Sequence, residues 1–284
     1  MPSNNPDLPI WLAPAKINLF LHVVGKRSDG YHELQTIFQF LDFADEMSFS
    51  VNLDGELERS YDFGFNRASD LNLCAATALR DFVGRPELGA TINLDKKIPM
   101  GGGLGGGSSN AATTLIALNH LWGLGLEQKT LQELGLSLGA DVPVFVAGFS
   151  AWAEGIGEIL TPISLPTPWY LVLFPDEGVS TNEIFSQNQL TERAQMKKIR
   201  ALRNQSVLNV GENDLEPIVR KLVPKVDHLI SWMEQFGKAR MSGSGSSVFM
   251  PCDSERSATE LLARRPENIK GFVAKGVNKI ERLV

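Results

Sequence analysis

Hydrophobic and polar residues alternate with a period of two through Leu19, Leu21 and Val23, with Asn18, Phe20 and His22 between them. That period predicts a strand with one buried face. A second such run sets Met47, Phe49, Val51 and Leu53 against Glu46, Ser48, Ser50 and Asn52. The charged stretch 26–31 between the two runs contains Asp-Gly, a turn signal. The spacing lengthens over 70–82, where Leu73, Ala76, Leu79 and Phe82 predict a helix. Ala90, Ile92 and Leu94 return to strand alternation and lead into Lys96-Lys97 and a glycine-rich segment. Beyond it, Ala111, Leu115, Leu118 and Trp122 predict a helix beginning near Ser108 or Ser109, and a further helix is predicted over 128–138. Gly139-Ala140-Asp141-Val142-Pro143 then breaks the pattern, because proline disfavours helical geometry in the residue before it.

Pro162, Pro166 and Pro168 cluster where a domain boundary is expected. After them come a strand over 169–174, a helix striped by Val226, Leu229, Ile230, Met233 and Phe236, and short strands at 248–250 and 272–274 around a helix at 255–263. Strands and helices in this mixed order predict an α+β protein of two domains, 1–160 and 161–284.

Composition narrows the function classes. Apolar residues make up 43% of the 284, as in ordinary globular chains. The net charge of −6, without basic blocks, argues against a nucleic-acid partner. The two cysteines, Cys74 and Cys252, form no CxxC, and the four histidines show no HExxH spacing, so a structural zinc or disulfide framework is not expected and a reducing cytoplasm is. No apolar run is long enough for a bilayer, and the first nine residues do not resemble a leader.

The segment 99–112, PMGGGLGGGSSNAA, has glycine at six of seven consecutive positions. Such a run is entropically costly and is seldom kept for packing alone. Glycine permits positive φ and lets backbone N–H groups approach a ligand, and at a helix start those groups form an anion site. Ser108 and Ser109 are expected to cap that helix and donate to phosphate. A flexible linker is the plain alternative, but linkers seldom run from a strand straight into an amphipathic helix. A Walker A loop would need Lys before the serine, and Gly107 stands there. Gly101-x-Gly103-x-x-Gly106 fits the dinucleotide fingerprint, yet a run this rich matches almost by necessity, and Glu127 follows a helix rather than a second strand. No His-Arg-Asp string accompanies the loop, which argues against a protein kinase.

The loop resembles the central motif of the GHMP kinases, the superfamily of galactokinase, homoserine kinase and mevalonate kinase. Pro14-Ala-Lys-Ile-Asn-Leu19 and Ser242-Gly-Ser-Gly-Ser-Ser247 resemble its two other motifs, in the same order along the chain. Ala13–Phe20, Asp29-Gly-Tyr-His-Glu-Leu-Gln-Thr36 and Leu138-Gly-Ala-Asp-Val-Pro-Val-Phe145 are similar in particular to the branch acting on a cytidine diphosphate derivative of methylerythritol. The resemblance implies a domain like the second domain of ribosomal protein S5 carrying the ATP loop, a ferredoxin-like C-terminal domain, and the substrate between them. It implies phosphorylation of the 2-hydroxyl of that derivative by ATP with Mg²⁺, a step of non-mevalonate isoprenoid synthesis. Partners other than the small-molecule substrate are not expected: no nucleic acid, no membrane, and a monomer or weak homodimer.

Residue roles follow from the same resemblance. An aspartate before Val-Pro is by itself more often a helix-end residue, but Asp141 occupies the family's position for the base that takes the hydroxyl proton. Lys16 is implied beside it, where a cation stabilises carboxylate charge and offsets charge on the transferring phosphoryl group. Two residues on along a strand, Asn18 faces the same way and is implied to hydrogen-bond the substrate. Tyr31 and Phe185 are implied to sandwich the cytosine, with His32 hydrogen-bonding it and Thr181 nearby; core packing is the other reading of Phe185. For ATP the implied contacts are Pro99, Gly101, Gly102, Gly103, Leu104, Gly105, Gly106, Gly107, Ser108 and Ser109 around the phosphates, with Lys96 and Asn72 toward the base. Asn72 stands in Asp70-Leu-Asn-Leu73, where the family has Asp-Asn-Leu. Residues 243–247 are expected either to support the site by close backbone approach or to serve only as a turn of the C-terminal sheet. No carboxylate for the metal is singled out. Another GHMP kinase, acting on homoserine or a sugar, is the nearest alternative, and it has no use for Gly-Tyr-His-Glu. A nicotinamide oxidoreductase and a nucleotide sensor without catalysis are the alternatives from other classes; retention of Lys16 and Asp141 argues against the sensor.

Overall fold

A long antiparallel hairpin opens the chain: β1 (Trp11–Lys26) runs against β2 (His32–Asn52) from Trp11↔Met47 to Lys26↔His32. The turn at Asp29-Gly30 closes it, with Gly30 at φ 90°. Register shifts fall between Pro14 and Lys16 and between Asn18 and Leu21. Such irregularities re-aim side chains, and here they bracket Lys16 and Asn18. The computed structural model describes residues 8–64, 66–176, 184–185 and 211–282.

β1 departs from its predicted single buried face, for it is buried on both. Ala13 packs in the N-terminal core, Leu21 and Val23 in the C-terminal core, and Ile17, Leu19 and Phe20 in a third cluster between them. One strand thus contributes to both halves of the molecule, and even its polar residues Lys16, Asn18 and His22 are buried. On β2, Met47 and Phe49 are buried as expected, but Val51 near its end and Leu53 just after it are exposed.

The main sheet path runs β3 (Leu57–Arg59), β4 (Gly89–Asp95), β2, β10 (Lys270–Val277), β7 (Trp169–Phe174), β9 (Val248–Cys252) and β8 (Arg240–Met241), and β2 also pairs with β5 (Ala151–Glu154), which pairs with β6 (Ile159–Pro162). The two halves join through Gly276↔Leu41 and Val277↔Phe40. On the N-terminal half lie α1 (Leu71–Val83), α2 (Gly106–Leu121), α3 (Gln128–Leu138) and α4 (Val142–Ala147). Leu73, Ala76 and Leu79 of α1 pack against Leu115 and Leu118 of α2 in the N-terminal core, whereas Phe82 is exposed. On the other half α5 (Glu216–Leu222) packs on α6 (Pro224–Met233), and α6 and α7 (Glu255–Ala263) cover β7 and β9. Val226, Leu229, Ile230 and Met233 of α6 are buried there with Leu171 and Val248. This is the two-domain α+β architecture expected, with a core in each half.

The helix after the glycine run begins earlier than predicted. α2 starts at Gly106, its N-cap is Gly105 in the left-handed region, and no side chain caps it. Ser108 and Ser109 therefore lie within the first turn and do not cap. Apolar periodicity could not see this start, because Gly106 and Gly107 carry no side chain to register.

Candidate active site

One cleft of about 1010 Å³ lies between the two halves, lined by the glycine run on one side and by residues of β1, β2 and the C-terminal turn on the other. Gly101, Gly103 and Gly105 all have positive φ, at 68°, 73° and 71°. A Cβ on Gly103 would stand 2.2 Å from the Ser242 carbonyl oxygen, and one on Gly105 would stand 2.8 Å from the Phe145 ring and 3.0 Å from Lys16 Cε. Glycine is thus required at both positions. The C-terminal turn holds this shape: Ser242 Oγ donates to the Gly103 carbonyl at 2.9 Å, and the Ser247 N–H donates to that of Gly102 at 3.0 Å. The close backbone approach expected of 243–247 is therefore present. With Gly105 as N-cap, the first N–H groups of α2 have no side-chain partner, the arrangement that binds phosphate oxygens.

The stem of the loop hangs on a residue that sequence reasoning missed. Asp45, fully buried on β2, accepts from Lys96 Nζ at 2.6 Å and Asn110 Nδ2 at 2.8 Å through one oxygen, and from the N–H groups of Lys97 at 2.7 Å and Ile98 at 2.8 Å through the other. It ties the strand before the loop to the helix after it. The Lys96 ammonium consequently stands against the loop, where a Cβ on Gly106 would come within 2.8 Å of Nζ. Burial pushes the Lys96 pKa down, and the Asp45 charge opposes that shift. Asp45 lies between 51 and 65 residues from these partners, close to Asp42 and Glu46, and nothing in the local pattern marks it out.

Lys16 and Asp141 come together as the resemblance implied. Lys16 Nζ is 3.2 Å from Asp141 Oδ2, donates to Asn18 Oδ1 at 2.5 Å, and lies 5.3 Å from the centre of the Phe38 ring. The lysine side chain is 3% exposed and the aspartate 34%, so the pair has a buried cation and a carboxylate open to the cleft. Asp141 does occupy a helix start, at the N-cap of α4, yet its side chain caps nothing. Asn18 is held by a second bond, from its Nδ2 to Thr36 Oγ1 at 2.9 Å.

The far side of the hairpin turn carries the residues implied to bind cytosine. Tyr31 is 58% exposed, and the His32 ring lies 5.4 Å from that of Phe185 at an interplanar angle of 30°. The His32 and Phe185 rings pair directly, and both line the cleft with Tyr31, whose implied sandwich of the cytosine with Phe185 needs the base between the two rings. Thr181 lies outside the described residues.

Asn72 lines the opposite end, beyond the loop. Its backbone N–H donates to Asp70 Oδ1 at 2.9 Å and its Nδ2 to the Tyr61 hydroxyl at 2.7 Å, while its Oδ1 is buried without a protein partner. An unmet buried acceptor costs about 1–3 kcal/mol, so an orphan on a cleft wall points to a ligand donor. Leu71, Leu94 and Phe63 line the cleft nearby and supply apolar surface for a planar base. Phe63 belongs to Asp62-Phe-Gly64, a string also found in protein kinases; here the exposed Asp62 carboxylate accepts from the Gly64 N–H at 2.9 Å within a turn.

Among the described residues no three acidic, histidine or cysteine groups converge as a metal cage, and no helix is long and apolar enough to cross a membrane. An uncapped helix start at a glycine run, a lysine–aspartate pair near it and further cleft surface at the hairpin turn are the kinds of parts that a phosphotransferase acting on a hydroxyl needs.

Comparison with known proteins agrees with that chemistry. The model for the GHMP kinases N terminal domain matches residues 70–149 and that for the GHMP kinases C terminal domain matches residues 190–271. The chain belongs to the GHMP kinases, a family of small-molecule kinases. It is 48% identical over 270 residues to the 4-diphosphocytidyl-2-C-methyl-D-erythritol kinase of Nitrosococcus oceani, covering 95% of each chain, and 52% identical to that of Alkalilimnicola ehrlichii, covering 94% of this chain and 90% of the other. A crystal structure of 4-(cytidine 5'-diphospho)-2C-methyl-D-erythritol kinase matches with a TM-score of 0.79 at 32% identity, covering 94% of this chain and 98% of that one. Within the GHMP kinases, the chain groups with the 4-diphosphocytidyl-2-C-methyl-D-erythritol kinases. Methanococcus jannaschii mevalonate kinase, 18% identical, shares the fold with a TM-score of 0.68, covering 98% of this chain and 100% of its own.

Proposed function

We propose that the protein transfers the γ-phosphoryl group of ATP to the 2-hydroxyl of 4-diphosphocytidyl-2-C-methyl-D-erythritol, a step of non-mevalonate isoprenoid synthesis in the cytoplasm. The hydroxyl oxygen forms the new P–O bond, the bond from the γ-phosphorus to the β–γ bridging oxygen breaks, ADP leaves, and the proton passes to Asp141. The Lys16–Asp141 pair at 3.2 Å, beside the glycine loop, is the observation that carries the reading. The exposed carboxylate is free to accept a proton, and the buried ammonium beside it offsets charge on the phosphoryl group in flight.

N–H groups at the start of α2 and Ser108 hold the phosphates, and the Lys96 ammonium, implied to reach toward the base, stands against the loop at Gly106 and serves the phosphates instead. Mg²⁺ enters with ATP and is held mainly by phosphate oxygens, as is usual for this ion. Asn18 steadies Lys16 and borders the accepting hydroxyl, and Tyr31, His32, Thr181 and Phe185 receive the cytidine end. The nucleotide-binding part comprises 1–160 and the remainder 161–284, and a monomer or weak homodimer is sufficient. The test is ADP release by the purified protein with MgATP and 4-diphosphocytidyl-2-C-methyl-D-erythritol. Turnover with homoserine or galactose, and none with that substrate, overturns the assignment.

A further inference from the structure

Asp70 begins α1 with a carboxylate that can only accept hydrogen bonds, and Arg59 Nη1 is paired with it at 2.9 Å. The Tyr61 hydroxyl lies 2.9 Å from Asp70 Oδ2, so its single proton is donated there. The phenolic oxygen is left as an acceptor. What faces it from Asn72 at 2.7 Å must then be the NH₂ end of the amide. The carbonyl end, Oδ1, is thereby turned away from Tyr61, and it is the buried atom without a protein partner. Burial raises the Tyr61 pKa far above its ordinary value, so the hydroxyl keeps its proton throughout the physiological range. The orientation of the Asn72 amide is thus dictated by Asp70 through Tyr61, a residue one step further from the cleft wall.

We propose that Tyr61 is a positioning residue for nucleotide selection: by fixing Asn72 with only its acceptor available to a ligand, it selects a purine with a 6-amino group over one with a 6-oxo group. The inference rests on the reading of this end of the cleft as the ATP base site. A 6-amino group donates to Asn72 Oδ1, whereas a 6-oxo group sets two acceptors against each other and leaves both unmet. Were the amide free to turn, it could offer NH₂ to the oxo group and the distinction would fade.

Three triphosphates that differ at position 6 test this by kcat/KM: ATP with an amino group, purine riboside triphosphate with hydrogen, and ITP with oxygen and, in consequence, a proton on N1. The wild-type protein is expected to rank them in that order, with ATP ahead of ITP by about tenfold or more. In Tyr61→Phe the ratio of ATP to ITP is expected to fall to about threefold or less, because Asn72 can then turn its NH₂ outward. Equal losses for all three nucleotides in that variant would mark a merely structural role and overturn the proposal. If the variant does not fold, the wild-type order decides, since ITP used as well as purine riboside triphosphate is the behaviour of an unfixed amide. Wild-type turnover with ATP but without the expected order sinks only the relay. Absence of turnover with any of the three sinks the ATP reading and the relay with it.

Discussion

At the end of the cleft proposed for the nucleotide, the wall is made of buried groups tied to one another: Asp45 to Lys96 and Asn110, and Asp70 to Arg59 and Tyr61. At the end proposed for the acceptor, the wall is a hairpin turn carrying an exposed Tyr31 and a His32 that touches Phe185 across the cleft. The first arrangement suits a ligand whose triphosphate is the same in every turnover, because prepaid ordering strengthens each contact. The second suits a specificity element, which can change by substitution on a turn without disturbing a core. Between them stands the proposed reacting pair, half of each kind, with Lys16 buried and Asp141 open. Variants at the three places are expected to fail differently.

The largest effect is expected at the reacting pair. Asp141→Asn keeps the shape and removes the proton acceptor, so kcat is expected to fall by about 10²–10⁴-fold while KM for ATP stays within a factor of about two. Steady-state kinetics with both substrates varied reads the split. Near-normal kcat would remove Asp141 from the base role and shift attention to Lys16.

Asp45→Asn comes next and attacks the buried end. The variant leaves the Lys96 ammonium with no carboxylate at 2.6 Å, and losing one partner of a buried pair typically costs about 3–5 kcal/mol. Thermal unfolding is expected to show a clear drop in Tm, and KM for ATP is expected to rise more than KM for the cytidine substrate. Equal rises in both would mean that the loop and the acceptor end are not separately built. Gly103→Ala tests the same end from the other side. Its Cβ would stand 2.2 Å from a backbone oxygen at a positive φ, so the loop must shift, with a loss of about 1–3 kcal/mol in stability and weakened ATP binding.

These predictions also mark what could be read before folding. Elements with strong local signals were legible: α3 spans the predicted 128–138, and β7 the predicted 169–174. Lys16, Asp141 and the loop were legible through motifs spread along the chain. Asp45 and Tyr61 were not, because their importance lies in partners that only the sheet brings near, and a buried acid in sequence looks like a solvated one. The start of α2 was hidden for a local reason, since the capping residue is a glycine in a run of glycines. Pairing of His32 with Phe185 was missed because it depends on how the second half closes over the hairpin turn.

The smallest expected effect is the one that separates the two ends most cleanly. Tyr31 is 58% exposed, so Tyr31→Ala removes little packing and Tm is expected to stay within about 1 °C of wild type. If its ring stacks on the cytosine, loss of that contact is worth about 1–3 kcal/mol, or roughly a tenfold or greater rise in KM for the cytidine substrate. KM for ATP should not move if the two ends of the cleft are separately built. His32→Ala provides the comparison, because His32 rather than Tyr31 lies against Phe185. A rise in KM with Tyr31→Ala and a smaller one with His32→Ala supports Tyr31 as the stacking face and His32 as a hydrogen-bonding neighbour. The reverse order would give the stacking role to the His32–Phe185 pair and leave Tyr31 as a solvated rim residue.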